Sequence, residues 1–136
     1  SIESDSFASL TNLRSLDLGQ NCLFKINDQR LFGNLNRLVK LNLEFNLILK
    51  LDFSKSFNKF RNLEELLLNS NKISYLYYSD NQLYPNKLKI INFNSNFITK
   101  ISDFFVYFPN LAEVHLNNNL IDENPLQMLD NLHTLD

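Results

Sequence analysis

Few side chains in this sequence could do acid–base, nucleophilic or metal chemistry. There are two histidines, His115 and His133, and a single cysteine, Cys22. A histidine beside an aspartate is a pairing used for proton transfer, and Asp136 stands three residues past His133. His115, His133 and Asp136 together would also make a three-ligand metal set. Cys22 cannot form an internal disulfide, and no cluster of cations surrounds it to stabilise a thiolate. There is no glycine-rich phosphate loop, no cysteine pair, and no basic patch or aromatic platform for nucleic acid. Whether the histidines and the carboxylate can meet depends on the elements that carry them.

The chain has 136 residues, enough for one domain with a core. Its net charge of -2 argues against a cationic surface for nucleic acid or anionic membrane. Hydrophobic residues make up 44%, which excludes a disordered chain. The 27 leucines and 22 asparagines stand against 2 glycines and 3 prolines, so ordinary turn chemistry is missing. No run approaches the ~18 apolar residues of a transmembrane helix. Residues Ser1–Asp5 lack the basic start and apolar run of a signal peptide. No asparagine lies in an Asn-x-Ser/Thr sequon.

A self-comparison yields the organisation. Anchors fall at Leu13, Leu38, Leu63, Leu88, Leu111 and Leu132, in steps of 25, 25, 25, 23 and 21 residues. Three residues on come Leu16, Leu41, Leu66, Ile91, Val114 and Leu135, and five on come Leu18, Leu43, Leu68, Phe93 and Leu116. Eight on come Asn21, Asn46, Asn71, Asn96 and Asn119, and ten on come Leu23, Ile48, Ile73, Ile98 and Ile121. This L-x-x-L-x-L-x-x-N-x-L unit, five times in register, resembles the leucine-rich repeat family over nearly the whole chain. Six residues before the next anchor stand Phe7, Phe32, Phe57 and Phe105. Phenylalanine in that slot is similar to the typical subclass found in Toll-like receptors and other cell-surface and matrix proteins. The third unit departs, with Gln82 and Pro85 in the return slots.

The resemblance implies an α/β leucine-rich-repeat solenoid, curved, with a parallel concave sheet and an irregular, 3₁₀ or helical convex side. Residues 1–136 are expected to form one array. In it, 1–12 are the tail of a preceding repeat, full repeats start at 13, 38, 63, 88 and 111, and a partial one starts at 132. The absence of capping units leads to the expectation of an excerpt from a longer solenoid. The alternating L-x-L motif is the period of a half-buried strand, and parallel strands need the crossover that the rest of each unit supplies. A buried asparagine can both donate and accept. Asn21, Asn46, Asn71, Asn96 and Asn119 are therefore expected to satisfy the backbone where each strand ends, as a structural ladder in place of glycine and proline turns.

Stacking puts equal offsets side by side. The concave columns should read Ser15, Lys40, Glu65, Ile90, Glu113 and Thr134, then Asp17, Asn42, Leu67, Asn92, His115 and Asp136, then Gly19, Glu44, Asn69, Asn94 and Asn117. Lys40 should neighbour Glu65, and Glu64 should neighbour Lys89, as lateral pairs. The asparagines have two readings, a polar binding surface or a bias of composition. Leu67 and Ile90, with Phe45 at the margin, could form a small apolar contact spot. His115 and Asp136 share a column that holds no nucleophile, on an open face. His133 lies three residues out of line, ~10 Å along a strand and too far for one ion. The expectation is therefore no enzyme, no metal and no cofactor.

The function expected is a protein-protein interaction module binding a protein ligand or co-receptor on the concave face, in an extracellular or cell-surface receptor. The candidate binding residues are Lys40, Asn42, Glu44, Glu65, Leu67, Asn69, Ile90, Asn92, Asn94, Glu113, His115 and Asn117. No nucleic-acid partner and no membrane insertion by this segment are expected. The alternatives are a cytoplasmic scaffold or adaptor, favoured by the lone cysteine, and a regulatory segment of a larger enzyme.

Overall fold

In the computed structural model the described residues are 2–3, 6–26, 30–32, 34–77 and 85–122. The expected repeat start at Leu132 and the return residue Gln82 lie outside them. The molecule is a parallel-sheet β-solenoid. Strands β1 (Ser15–Asp17), β2 (Lys40–Asn42), β4 (Glu65–Leu67), β6 (Ile90–Asn92) and β7 (Glu113–His115) form one sheet in the order β1-β2-β4-β6-β7. Every neighbouring pair is parallel and in register, so Leu16, Leu41, Leu66, Ile91 and Val114 form one inward row. Leu41, Leu66 and Ile91 are fully buried, each adding on the order of 2 kcal/mol of apolar burial.

Strand pairing runs past each short strand. The Leu43 and Phe45 amides donate to the Leu67 and Asn69 carbonyls, and Leu68 and Ser70 repeat the pattern one unit on. The chain then reverses at a residue with positive φ: Gln20, Phe45, Ser70, Ser95 and Asn118, with φ between 51 and 58°. The reversal therefore sits one residue before each ladder asparagine, which corrects the expectation that the asparagines themselves make the turn. No glycine occupies the left-handed position, although that conformation costs an L-residue about 1 kcal/mol or more.

Beyond the turn, in the segment expected only as part of the crossover, lies a second ladder. The amides of Leu47, Lys72, Phe97 and Leu120 donate to the carbonyls of Leu23, Ile48, Ile73 and Ile98 in the preceding repeat. In two repeats this extended backbone ends in a second parallel sheet, where β3 (Lys50–Asp52) pairs with β5 (Tyr75–Tyr77). Leu23, Ile48, Ile73 and Ile98 point inward and are buried, while the residues on either side of them face out.

The convex side carries little helix among the described residues. One turn, α1 (Phe53–Phe57), is capped by Asp52, whose carboxylate accepts from the Lys55 amide. A 3₁₀ segment covers Ser102–Tyr107. Rings from the second and fourth repeats meet directly: Phe53 lies 4.9 Å from Phe104 and 5.5 Å from Phe108 between centroids. The aromatic return slots lost from the third unit are bridged by this cluster. No helix among the described residues is long and apolar enough to cross a membrane.

Candidate binding face

The asparagine column is the seam between the two ladders. Asn71 Nδ2 donates to Leu43 O of the preceding repeat (2.9 Å) and Leu68 O of its own (3.0 Å). Its Oδ1 accepts from the Ile48 amide (3.1 Å). Asn46 bonds in the same way to Leu18 O, Leu43 O and the Leu23 amide. Asn96 bonds to Leu68 O, Phe93 O and the Ile73 amide, and Asn119 to Phe93 O, Leu116 O and the Ile98 amide. Asn21, at the first rung, is exposed and donates to Leu18 O and Gly19 O. An asparagine fits because one planar amide offers a donor to the sheet side and an acceptor to the flank side.

The concave columns are stacked by the register. Ser15, Lys40, Glu65, Ile90 and Glu113 are aligned, as are Asp17, Asn42, Leu67, Asn92 and His115. Lys40 Nζ lies 2.7 Å from Glu65 Oε1, and Lys89 Nζ lies 2.8 Å from Glu64 Oε2. The Lys89 ammonium, by hydrogen bond and by charge, holds the Glu64 carboxyl below its ordinary value. His115 Nε2 stands 3.6 Å from Glu113 Oε2 on the same strand. Thr134, Asp136 and His133 lie outside the described residues. No group of three metal-ligating side chains occurs among those that are described.

Several concave asparagines have a use that neither reading of the sequence anticipated. Asn42 Oδ1 accepts from the Glu44 amide (2.8 Å) and Asn92 Oδ1 from the Asn94 amide (3.0 Å). Asp17 does the same for Gly19 (2.8 Å), where a β-carbon on Gly19 would come within 3.1 Å of that carboxylate. These are Asx turns that brace the strand exits. In the fifth repeat His115 replaces the bracing residue, and Asn94 Oδ1 reaches across to the Asn117 amide instead (2.7 Å). In the third repeat Leu67 stands there and offers no acceptor. The Asn94 amide is already bonded to Asn92, and Asn69 Oδ1 is left buried without a donor among the described residues.

Where the strands begin, a further polar column runs along the array: Arg37 bonds to Asn12, Asn62 to Asn36 O, Lys87 to Asn62, and Asn110 to Asn86 O. Recurrence of Asn, Arg or Lys one residue before each anchor was the signal for it. The pattern breaks at the centre of the concave face. Leu67 and Ile90, half-buried and diagonal across adjacent strands, are its apolar residues, and Phe45 at the margin is exposed.

A model of the leucine-rich repeat family matches residues 1–48. That match and the repeating geometry support a leucine-rich repeat family. Among solved structures the chain is similar to an internalin C2 of Listeria monocytogenes, with 25% identity and a TM-score of 0.38, over 93% of this chain and 69% of that one. It is also similar to a second internalin of that organism, with 16% identity and a TM-score of 0.34, over 93% of this chain and 54% of that one. No curated protein matches the chain.

Proposed function

We propose that this leucine-rich repeat array is a protein-protein interaction module without catalytic activity of its own, and that it receives a protein partner on its concave sheet. The observation that carries this reading is the Leu67–Ile90 step: an apolar spot surrounded by columns already set by intramolecular bonds. Side chains braced before binding lose little freedom when a partner arrives, and an apolar centre within a polar rim is the usual anatomy of a protein interface. Lys40, Glu65, Asn42, Asn92, Asn94, Glu113, His115 and Asn117 form the rim, with Glu44 and Asn69 at the strand exits.

The test is a pair of variants, Leu67→Glu and Ile90→Glu, assayed for capture of a protein ligand with circular dichroism as the control for folding. Each is expected to weaken capture by about tenfold or more. Unaltered capture by both would remove the partner from the concave face. A finer reading, an extracellular or cell-surface receptor segment, is supported by the buried phenylalanines Phe32, Phe57 and Phe105 in the slot shared with the Toll-like subclass. An intracellular scaffold is the second reading, and the exposed free thiol of Cys22 favours it.

A further inference from the structure

The second ladder presents a surface unlike the first. Its outward side chains include Phe24, Leu49, Tyr75, Phe97 and Leu120, each at least half exposed, up to 61% for Phe24. They exceed Leu67 and Ile90 in exposure, so the more open apolar surface lies on this flank and not on the concave sheet. The same rows carry Lys25, Lys50, Lys72 and Lys100, all exposed. On the concave side Lys40 and Lys89 are each matched to a glutamate on the neighbouring strand. Among the described residues the flank lysines form no such ion pair: rows 22–25, 47–50, 72–75 and 97–100 contain no aspartate or glutamate, and the carboxylate of the flank, Asp122, stands in the fifth row beyond them. In a chain of net charge -2, positive charge gathers in these four rows.

We propose that this flank is a second docking surface, which takes an acidic polypeptide segment lying extended across the repeats. Its carboxylates would meet the lysines, and its apolar side chains would lie against Leu49, Tyr75 and Phe97. The dimensions suit a short segment. Parallel rows stand ~4.8 Å apart, so four rows span ~15 Å, the reach of about five extended residues. A polypeptide fits the strip better than an anionic membrane does. Asp122 stands in the last row, where its amide donates to Thr99 O, so a charged plane laid over the whole flank would meet a carboxylate there.

The probe is a fluorescein-labelled ten-residue peptide alternating glutamate and leucine, with a lysine-for-glutamate counterpart, titrated against the full chain by fluorescence anisotropy. The acidic peptide is expected to bind saturably and its counterpart not at all. Lys50→Glu combined with Lys100→Glu should weaken binding by about tenfold or more, and Phe97→Ser by about fivefold. Lys59→Glu, an exposed residue away from both ladders, should change it less than about twofold. Leu67→Glu should leave it intact, which separates this surface from the concave one. Failure of the acidic peptide to bind, or equal binding by the lysine variants, overturns the proposal. Loss of binding in Leu67→Glu also overturns it, by moving the peptide to the concave face. Lysine-dependent binding to phosphatidylserine vesicles with no peptide binding would assign the flank to a membrane. Lysine-dependent self-association without peptide binding would assign it to a second copy of this chain.

Discussion

The concave sheet and the flank beside it are both parallel ladders cut from the same repeats, and they dispose of their side chains in opposite ways. On the concave side the polar groups are largely spent within the molecule. Asn42 and Asn92 brace their own strand exits, Asn94 reaches the next repeat, and Lys40 and Glu64 hold partners across strands. On the flank the backbone is just as well bonded, but the outward side chains are bulky, apolar or cationic and point at solvent. An abundance of asparagine is therefore a poor guide to a binding surface, because amides are what a stacked backbone consumes for itself. Bulky apolar side chains held exposed are the better guide.

The contrast can be broken most severely at the seam. Asn71→Leu removes the donor to Leu43 O and the acceptor for the Ile48 amide together, so both ladders lose a rung. The expected cost is on the order of 3 kcal/mol, read as a lowered midpoint in urea unfolding. A loss below about 0.5 kcal/mol would mean that the rung is not what joins the two faces. A smaller effect of opposite sign is expected one residue earlier. Ser70→Gly relieves a left-handed backbone at φ 55° and should stabilise the fold by roughly 0.5–1 kcal/mol, less than the full strain because glycine is freer when unfolded.

The smallest effect is electrostatic. Lys89 lowers the Glu64 pKa, so the pair stabilises the fold above the ordinary carboxylate range and loses that contribution as pH falls through the depressed value. Lys89→Met should return the Glu64 carboxyl toward its ordinary midpoint in an NMR titration. An unmoved midpoint would show that the pair does not persist in solution.

The inward rows were legible because leucine and isoleucine at fixed offsets have one economical explanation, a strand stacked on its copies. The pairing of Lys40 with Glu65 followed from the same register. The Asx braces were not legible, since a side chain that bonds two residues along its own backbone looks in sequence like any exposed asparagine. The flank was hidden differently. Its inward residues, from Leu23 to Ile98, were found, but the residues around them mix phenylalanine, leucine, serine and lysine, and extended pairing arises there from backbone position alone. Lysine returning at Lys25, Lys50 and Lys100 was the overlooked signal. The left-handed residue was invisible for a related reason: Gln20, Phe45, Ser70, Ser95 and Asn118 are not glycines and share no one residue type, only a place.

The bond pattern of the asparagine column also has a direction. The Oδ1 of each rung accepts from a backbone amide of the repeat before it: Asn46 from Leu23, Asn71 from Ile48, Asn96 from Ile73, Asn119 from Ile98. The hydrogen-exchange rate of each of these amides therefore reports on its successor and not on its own unit. Four backbone positions would let the order in which the array frays be followed repeat by repeat, without any label being introduced.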